Sequence, residues 1–267
     1  MSLYASLAPR YDALFPPSPL AARFLDSLVP RPLGPRSVEE GRRALDAGCA
    51  TGSHALGLAE LGWRVVGLDS EEAMIALARE KAAAAGLASR ASFILADALD
   101  QGGGAAPARG PFDLVLCLGN TLPHFRGESA AAFLRSARGR LAPGGRLVLQ
   151  SVNYAYPGLG PGHRFPPLAA GGVTMRRRYD APSDGEPEAL RFIVELEEEG
   201  KVEVDETILQ PRPPALIASL LRESGFSEPR LLSGWEGAPF DPLVDFYLLA
   251  VALAGDGKDG AAARPAP

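Results

Sequence analysis

The sequence predicts one α/β domain, a mostly parallel sheet interleaved with helices that carries an inserted antiparallel β-ribbon. Two observations predict it. From Ala44 to Val152, short apolar runs ending in Gly or Asp alternate with Ala/Leu-rich stretches, the pattern of repeated βα units. After residue 153 the apolar positions recur with a period of two, as antiparallel strands with one buried face require.

The elements follow in order. Residues 1–35 are broken by proline, with a helix expected over 18–29, where Pro19 sits in the first turn and Leu20, Phe24, Leu25 and Leu28 are apolar. Residues 43–47 form a strand and 52–61 a helix; 64–68 form a strand and 71–85 a helix stopped by Gly86. A third strand covers 92–96, a Gly/Ala-rich loop 101–110, and a near-continuous apolar strand 112–118. A helix over 128–140 is ended by Pro143-Gly144-Gly145, and 146–152 is the fifth strand. The ribbon comprises 173–179, 190–196 and 202–209, with the turn Glu198-Glu199-Gly200 joining the last two. A helix over 214–223 is closed by Gly225, and strands over 229–233 and 246–252 finish the domain. The expected organisation is an N-terminal lid segment over 1–35, a ligand-binding core over 36–155, the ribbon and end of the sheet over 156–253 in the same domain, and a frayed tail over 254–267.

Composition narrows the function classes. Of 267 residues, 46% are apolar and 22% charged, which is ordinary for a folded domain. The formal charge of -5, with only Lys81, Lys201 and Lys258 as lysines, disfavours a nucleic-acid partner. The longest apolar stretches, such as 246–255, are too short to span a bilayer. The first residues lack the basic flank and apolar run of a signal peptide. Two cysteines and three histidines suggest no disulfide framework and no metal. The expected setting is cytoplasmic.

Chemistry concentrates at the strand ends. The first strand runs through Asp46-Ala-Gly-Cys-Ala-Thr-Gly52 into a helix, and a glycine turn before a helix N-terminus brings a ligand close to free backbone N–H groups. The spacing is neither the Gly-x-Gly-x-x-Gly of a dinucleotide fingerprint nor the Gly-Lys-Ser/Thr of a P-loop. Asp46 would repel a pyrophosphate but suits a ligand bearing an ammonium group. Asp69, 23 residues further on, ends the second strand and can accept from both hydroxyls of a ribose; alternatively, Asp69-Ser-Glu-Glu72 is a capping-box spacing. Asp97, after the third strand, can accept from an adenine amino group. Three acids at three consecutive strand ends mark the edge where open parallel sheets bind ligands.

Through Leu45-Asp-Ala-Gly-Cys-Ala-Thr-Gly52, Val66-Gly-Leu-Asp69, Ala96-Asp97, Phe112-Asp-Leu-Val-Leu116 and Leu141-Ala-Pro-Gly-Gly-Arg-Leu147, the sequence resembles the class I S-adenosylmethionine-dependent methyltransferases, over roughly 40–150 and on to 252. The resemblance implies a Rossmann-like seven-stranded sheet with the last strand antiparallel, and S-adenosylmethionine as cofactor. It implies contacts from Tyr11, Asp46, Gly48, Cys49, Ala50, Asp69 on the ribose, Ser70 and Met74 beside the adenine, Asp97 and Ala98 at its amino edge, Leu118 and Asn120. The family usually has glycine where Ala50 stands, so the turn carries one extra methyl group.

A narrower resemblance, at Leu118-Gly-Asn-Thr-Leu-Pro-His124 and Gln150-Ser-Val-Asn-Tyr154, is to glycine and sarcosine N-methyltransferases and their small-molecule relatives. It implies Asn120 and His124 in catalysis and Asn153 and Tyr154 at the substrate. The arginine those enzymes place before Asn-Tyr, to hold a substrate carboxylate, is Val152 here, which argues against glycine and against a carboxylate clamp at that point. A lone-pair nucleophile need only be held in line with the methyl carbon, within about 3–3.5 Å. His124 is placed to accept a proton or orient an amine, or else to pack; Asn120 is a positioner; Tyr11 and Tyr154 are aromatic walls or half-buried core. In Arg176-Arg-Arg178 the first and third residues share a face and Arg177 points the other way; the run is either a clamp for an acidic substrate or, as favoured here, a solvated ribbon pairing with Glu195, Glu197 or Glu203 on neighbouring strands.

The leading expectation is methyl transfer to a nitrogen or oxygen of a small-molecule acceptor. The alternatives are a non-catalytic S-adenosylmethionine-binding protein and a nicotinamide-dependent oxidoreductase. No nucleic-acid or membrane partner is expected, and a homo-oligomer is compatible with the resemblance.

Overall fold

A computed structural model describes residues 3–30, 41–99, 110–182 and 188–255. The parallel strands are β1 (Arg43–Ala47), β2 (Arg64–Asp69), β3 (Ala91–Leu95), β4 (Phe112–Cys117) and β5 (Leu141–Val152); β10 (Arg230–Leu232) and β11 (Tyr247–Leu253) complete a seven-stranded sheet. Its order is β10-β11-β5-β4-β1-β2-β3, with β11 antiparallel to both neighbours. Strand order reverses between β1 and β4, so their carboxyl ends open a crevice at a topological switch point.

Helices cover both faces of the sheet. On one side lie α3 (Pro19–Leu28), α4 (Ser53–Glu60) and α5 (Glu72–Ala84), packed around the fully buried Trp63. The Trp63 indole donates to Asp26 at 2.8 Å and is stacked by the Arg42 guanidinium, which satisfies its one donor in the core. On the other side α6 (Ser129–Arg140) and α7 (Pro214–Glu223) pack Phe133, Leu134, Ile217 and Leu221 against the sheet.

A second, four-stranded antiparallel sheet contains β6 (Leu168–Ala170), β7 (Val173–Asp180), β8 (Leu190–Glu198) and β9 (Lys201–Leu209). Its inner face, with Val173, Met175, Val194 and Leu196, is covered by the N-terminal helices α1 (Leu3–Leu7) and α2 (Tyr11–Leu14) through Leu7 and Leu14. Salt bridges from Arg10 to Glu198 and from Lys81 to Asp12 tie this N-terminal segment to the ribbon and to α5.

Several expectations need correction. Pro143-Gly144-Gly145 does not stop the helix, which already ends at Arg140; it forms a bulge inside β5. The register jumps from Phe112 opposite Leu141 to Leu114 opposite Arg146, and a Cβ at Gly145 would lie 3.0 Å from the Phe112 carbonyl. Strand β6 and the helices α1 and α2 were not visible in the periodicity, being only three to five residues long. The expected loop at 101–110, except Gly110, and the tail beyond 255 lie outside the described residues, as do 31–35 of the N-terminal segment. Among the described residues no helix is long and apolar enough to cross a membrane.

Candidate active site

The turn between β1 and α4 builds the first wall. Gly48 N and Cys49 N both donate to Leu68 O, at 2.8 and 2.9 Å, which curls the chain over the end of β2. Gly48 has φ +80°, and a Cβ there would lie 2.8 Å from Thr121 in the loop after β4; only glycine fits. Ala50 also sits in the left-handed region, at φ +47°. No side chain caps the N-terminus of α4.

Two carboxylates face this turn. Asp46, 1% exposed, has an Oδ2 with no hydrogen-bond partner. Burial, and then the charge of Asp69, push its carboxyl up to about 7. Asp69 accepts from Ala50 N at 2.8 Å and from Glu71 N at 2.9 Å, and burial raises its pKa as well. The capping-box alternative is not formed: Glu71, not Asp69, is the N-cap of α5, and no side chain bonds there as a cap. Asp97 lies two residues beyond the end of β3 and accepts from Leu99 N at 2.8 Å. An orphaned, buried carboxylate oxygen beside a second acid is suited to a cationic ligand group.

These residues open into one cavity of about 710 Å³. Tyr11, Asp46, Gly48, Cys49, Ala50, Asp69, Ser70, Met74, Asp97, Ala98, Leu118, Asn120 and His124 all line it. The thiol of Cys49 is pushed well up by burial and the neighbouring acids, so it offers no thiolate nucleophile.

His124 stands on a 3-10 turn, Leu122–His124, pinned to the end of β9. Gln210 N donates to Pro123 O at 2.8 Å, and the buried Arg212 donates to the carbonyls of Leu122 and Phe125. Burial pushes His124 down to about 4, so the ring is neutral at pH 7. Its Nε2 lies 3.0 Å from the hydroxyl of Tyr4.

Three of the expected site residues are held by the protein's own groups. Asn120 lines the cavity, but its Oδ1 accepts from Val152 N at 3.0 Å and Ser151 Oγ at 3.2 Å, while its Nδ2 donates to the Tyr154 hydroxyl at 3.0 Å. It braces the ends of β4 and β5 instead of offering a free amide. Tyr154 stands behind the cavity lining, against Asn120 and Tyr179. Asn153 is fully buried and outside the lining; its amide donates to Pro242 O and Asp245 O and its Oδ1 accepts from Ala155 N.

Sequence reasoning missed the opposite wall: Tyr4, Phe165, Met175, Arg177, Tyr179, Phe192 and Tyr247. The period of two in β7 puts Met175, Arg177 and Tyr179 on one face, the signal that could have found them. As expected, Arg176 pairs with Glu197 and Arg178 with Glu195, across β7 and β8.

Residues 44–145 match the family described as methyltransferase domain. The chain is 34% identical over 118 residues to a ubiquinone biosynthesis O-methyltransferase of Caulobacter sp. (strain K31), covering 44% of each chain. It is 30% identical over 127 residues to a glycine N-methyltransferase of Rattus norvegicus, covering 43% of this chain and 41% of that one. It thus spans less than half the length of these curated relatives. Among solved structures it is similar to the CcbJ methyltransferase from Streptomyces caelestis, with a TM-score of 0.77 and 24% identity over 95% of this chain and 98% of that one.

Proposed function

We propose that the chain, whose residues 44–145 match the methyltransferase-domain family, belongs to the class I S-adenosylmethionine-dependent methyltransferases and transfers the methyl group of S-adenosylmethionine to a nitrogen or oxygen of a small-molecule acceptor. The observation that carries this reading is the single cavity joining the acid-lined turn of β1 to the apolar, aromatic wall of the second sheet. Its volume falls within the about 300–1,000 Å³ of small-molecule sites.

The residues on the turn fit the cofactor. The unpartnered Asp46 oxygen suits its ammonium group, Asp69 its ribose hydroxyls, and Asp97 with Ala98 the edge of its adenine. When bound, the cofactor supplies a methyl group already activated on a sulfonium. The protein has then only to position a nucleophile and keep water out. His124, neutral and locked beside Tyr4, orients the acceptor by hydrogen bonding. Asn120 holds the ends of β4 and β5 in place, and α1 and α2 form the lid.

The cavity of small-molecule size, the outward arginines already paired with glutamates, and the acidic balance support a small acceptor over nucleic acid. By their names, the two curated relatives act on oxygen and on nitrogen, which supports both acceptor classes here. Two buried, unpaired cysteines support a reducing, cytoplasmic setting.

The test is turnover of the full chain with S-adenosylmethionine and a panel of small amines, amino acids and phenols, read by mass spectrometry. Gain of one CH2 on an acceptor, with S-adenosylhomocysteine released, is the expected result. Cofactor binding without product across the panel would support the non-catalytic alternative instead.

A further inference from the structure

Among the described residues, one guanidinium in the cavity has no carboxylate within ion-pair distance. Arg177 is the only Lys or Arg among the described residues lining the cavity, and it makes none of the ion pairs found among them. Its neighbours Arg176 and Arg178 face outward onto Glu197, Glu195 and Asp180. Arg177 faces inward, with its guanidinium 5.0 Å over the Phe165 ring and one 3.4 Å contact to Pro166 O, while its Nε is buried with no partner. The buried Arg212, by contrast, is satisfied by backbone carbonyls and by Gln210.

A half-buried guanidinium held only by one long hydrogen bond to a carbonyl and by a ring face regains little of the hydration it gives up, and an apolar residue of similar size on this face would avoid that cost. Holding a charge here makes physical sense when an anion arrives with the ligand. We infer that Arg177 binds a carboxylate of the methyl acceptor, so that the acceptor is an apolar, ring-sized acid carrying an amine or hydroxyl nucleophile. The word acceptor rests on the methyl-transfer reading; the anion site does not.

The surroundings select the class. Met175, Tyr179 and Phe192 offer apolar and aromatic surface beside the guanidinium, which suits a hydrophobic body. One guanidinium fork matches one singly charged carboxylate in two parallel hydrogen bonds. A doubly charged phosphate would leave an uncompensated charge, in a cavity that already holds Asp46, Asp69 and Asp97.

The test is calorimetric titration of the full chain with benzoate, benzamide and phenyl phosphate, with and without saturating S-adenosylhomocysteine. The parent is expected to bind benzoate at least about tenfold more tightly than benzamide, and no less tightly than phenyl phosphate. Arg177→Gln should erase the acid–amide ratio, and the outward-facing Arg176→Gln should keep it. Should Arg177→Gln not fold, Arg177→Lys replaces it; a charge without the fork should shrink the ratio. Equal binding of acid and amide by the parent, tighter binding of phenyl phosphate, or a ratio that survives loss of the Arg177 side chain would overturn the assignment. Failure of S-adenosylhomocysteine to bind would contradict the methyl-transfer reading alone, because the titrations without it still judge Arg177.

Discussion

The hydroxyl of Tyr4, on the first helix, lies 3.0 Å from Nε2 of His124, 120 residues further along the chain. The contact lays the N-terminal segment over the turn that follows β4 and closes the cavity from that side. Burial drives the two groups in opposite directions, the phenol upward and the imidazole down to about 4, so both are neutral at pH 7. A neutral pair orients a ligand; it does not carry charge to it.

That neutrality gives a pH prediction. A histidine whose folded pKa is depressed binds fewer protons when folded, so its share of stability is present above the unfolded value of 6.5 and lost as pH falls toward about 4. His54, also pushed to about 4 by burial, acts in the same direction. Over that window the melting temperature of the parent is therefore expected to drop relative to that of His124→Gln, a comparison in which the opposing contribution of Asp46 is common to both. The pH dependence of kcat/KM should show no limb near 6.5 assignable to His124. A limb there that His124→Gln removes would contradict the neutral assignment.

Asp69→Ala is expected to weaken S-adenosylhomocysteine binding. A charge-assisted acceptor to ribose hydroxyls contributes about 1.5–3 kcal/mol, or roughly 10- to 150-fold in Kd. Titration of parent and variant measures it. Unchanged affinity would mean that Asp69 serves only the backbone donors of Ala50 and Glu71.

Asp46 titrates near neutrality, at about 7 against 3.8 unperturbed. The folded state keeps a proton the unfolded chain releases, so this group's contribution to stability declines as pH rises from about 4 to about 7 and stays at its lowest above that. A ligand ammonium beside the carboxylate offsets this loss. Stabilisation by S-adenosylhomocysteine should then grow between pH 5.5 and 8.5, and Asp46→Asn should flatten the growth. A pH-independent shift in the parent would remove Asp46 from the ammonium site.

Ala50 tests the turn. An L-residue in the left-handed region carries roughly 1–2 kcal/mol of strain, largely cancelled on replacement by the entropy glycine adds to the unfolded chain. Ala50→Gly should leave the melting temperature level or slightly higher. The exposed Ala76→Gly, in the interior of α5, should lower stability by about 1 kcal/mol. Comparable losses in both would place no strain at Ala50.

What the sequence revealed and what it hid divide by locality. The acid-bearing strand ends and the glycine turn were legible because each motif is contiguous and its chemistry follows from its own residues. Asn153 stands outside the cavity because β5 ends at Val152, which lines it, and the next residue is turned away and held by the carbonyls of Pro242 and Asp245. Arg177 was separated from its neighbours by the alternation of β7, but which face turned inward depended on where the second sheet docks. Tyr4 belongs to a five-residue helix too short to show a period, and its partner is remote in sequence.

The most direct test of the central claim is thermal unfolding of the full chain with S-adenosylhomocysteine, set against NAD. At about one hundred times Kd a ligand selective for the folded state stabilises it by about 2.7 kcal/mol, a rise in melting temperature of roughly 5–10 °C for a chain of this size. The account predicts that rise with S-adenosylhomocysteine and none with NAD. A rise with NAD alone, or none with S-adenosylhomocysteine at any attainable concentration, would contradict it.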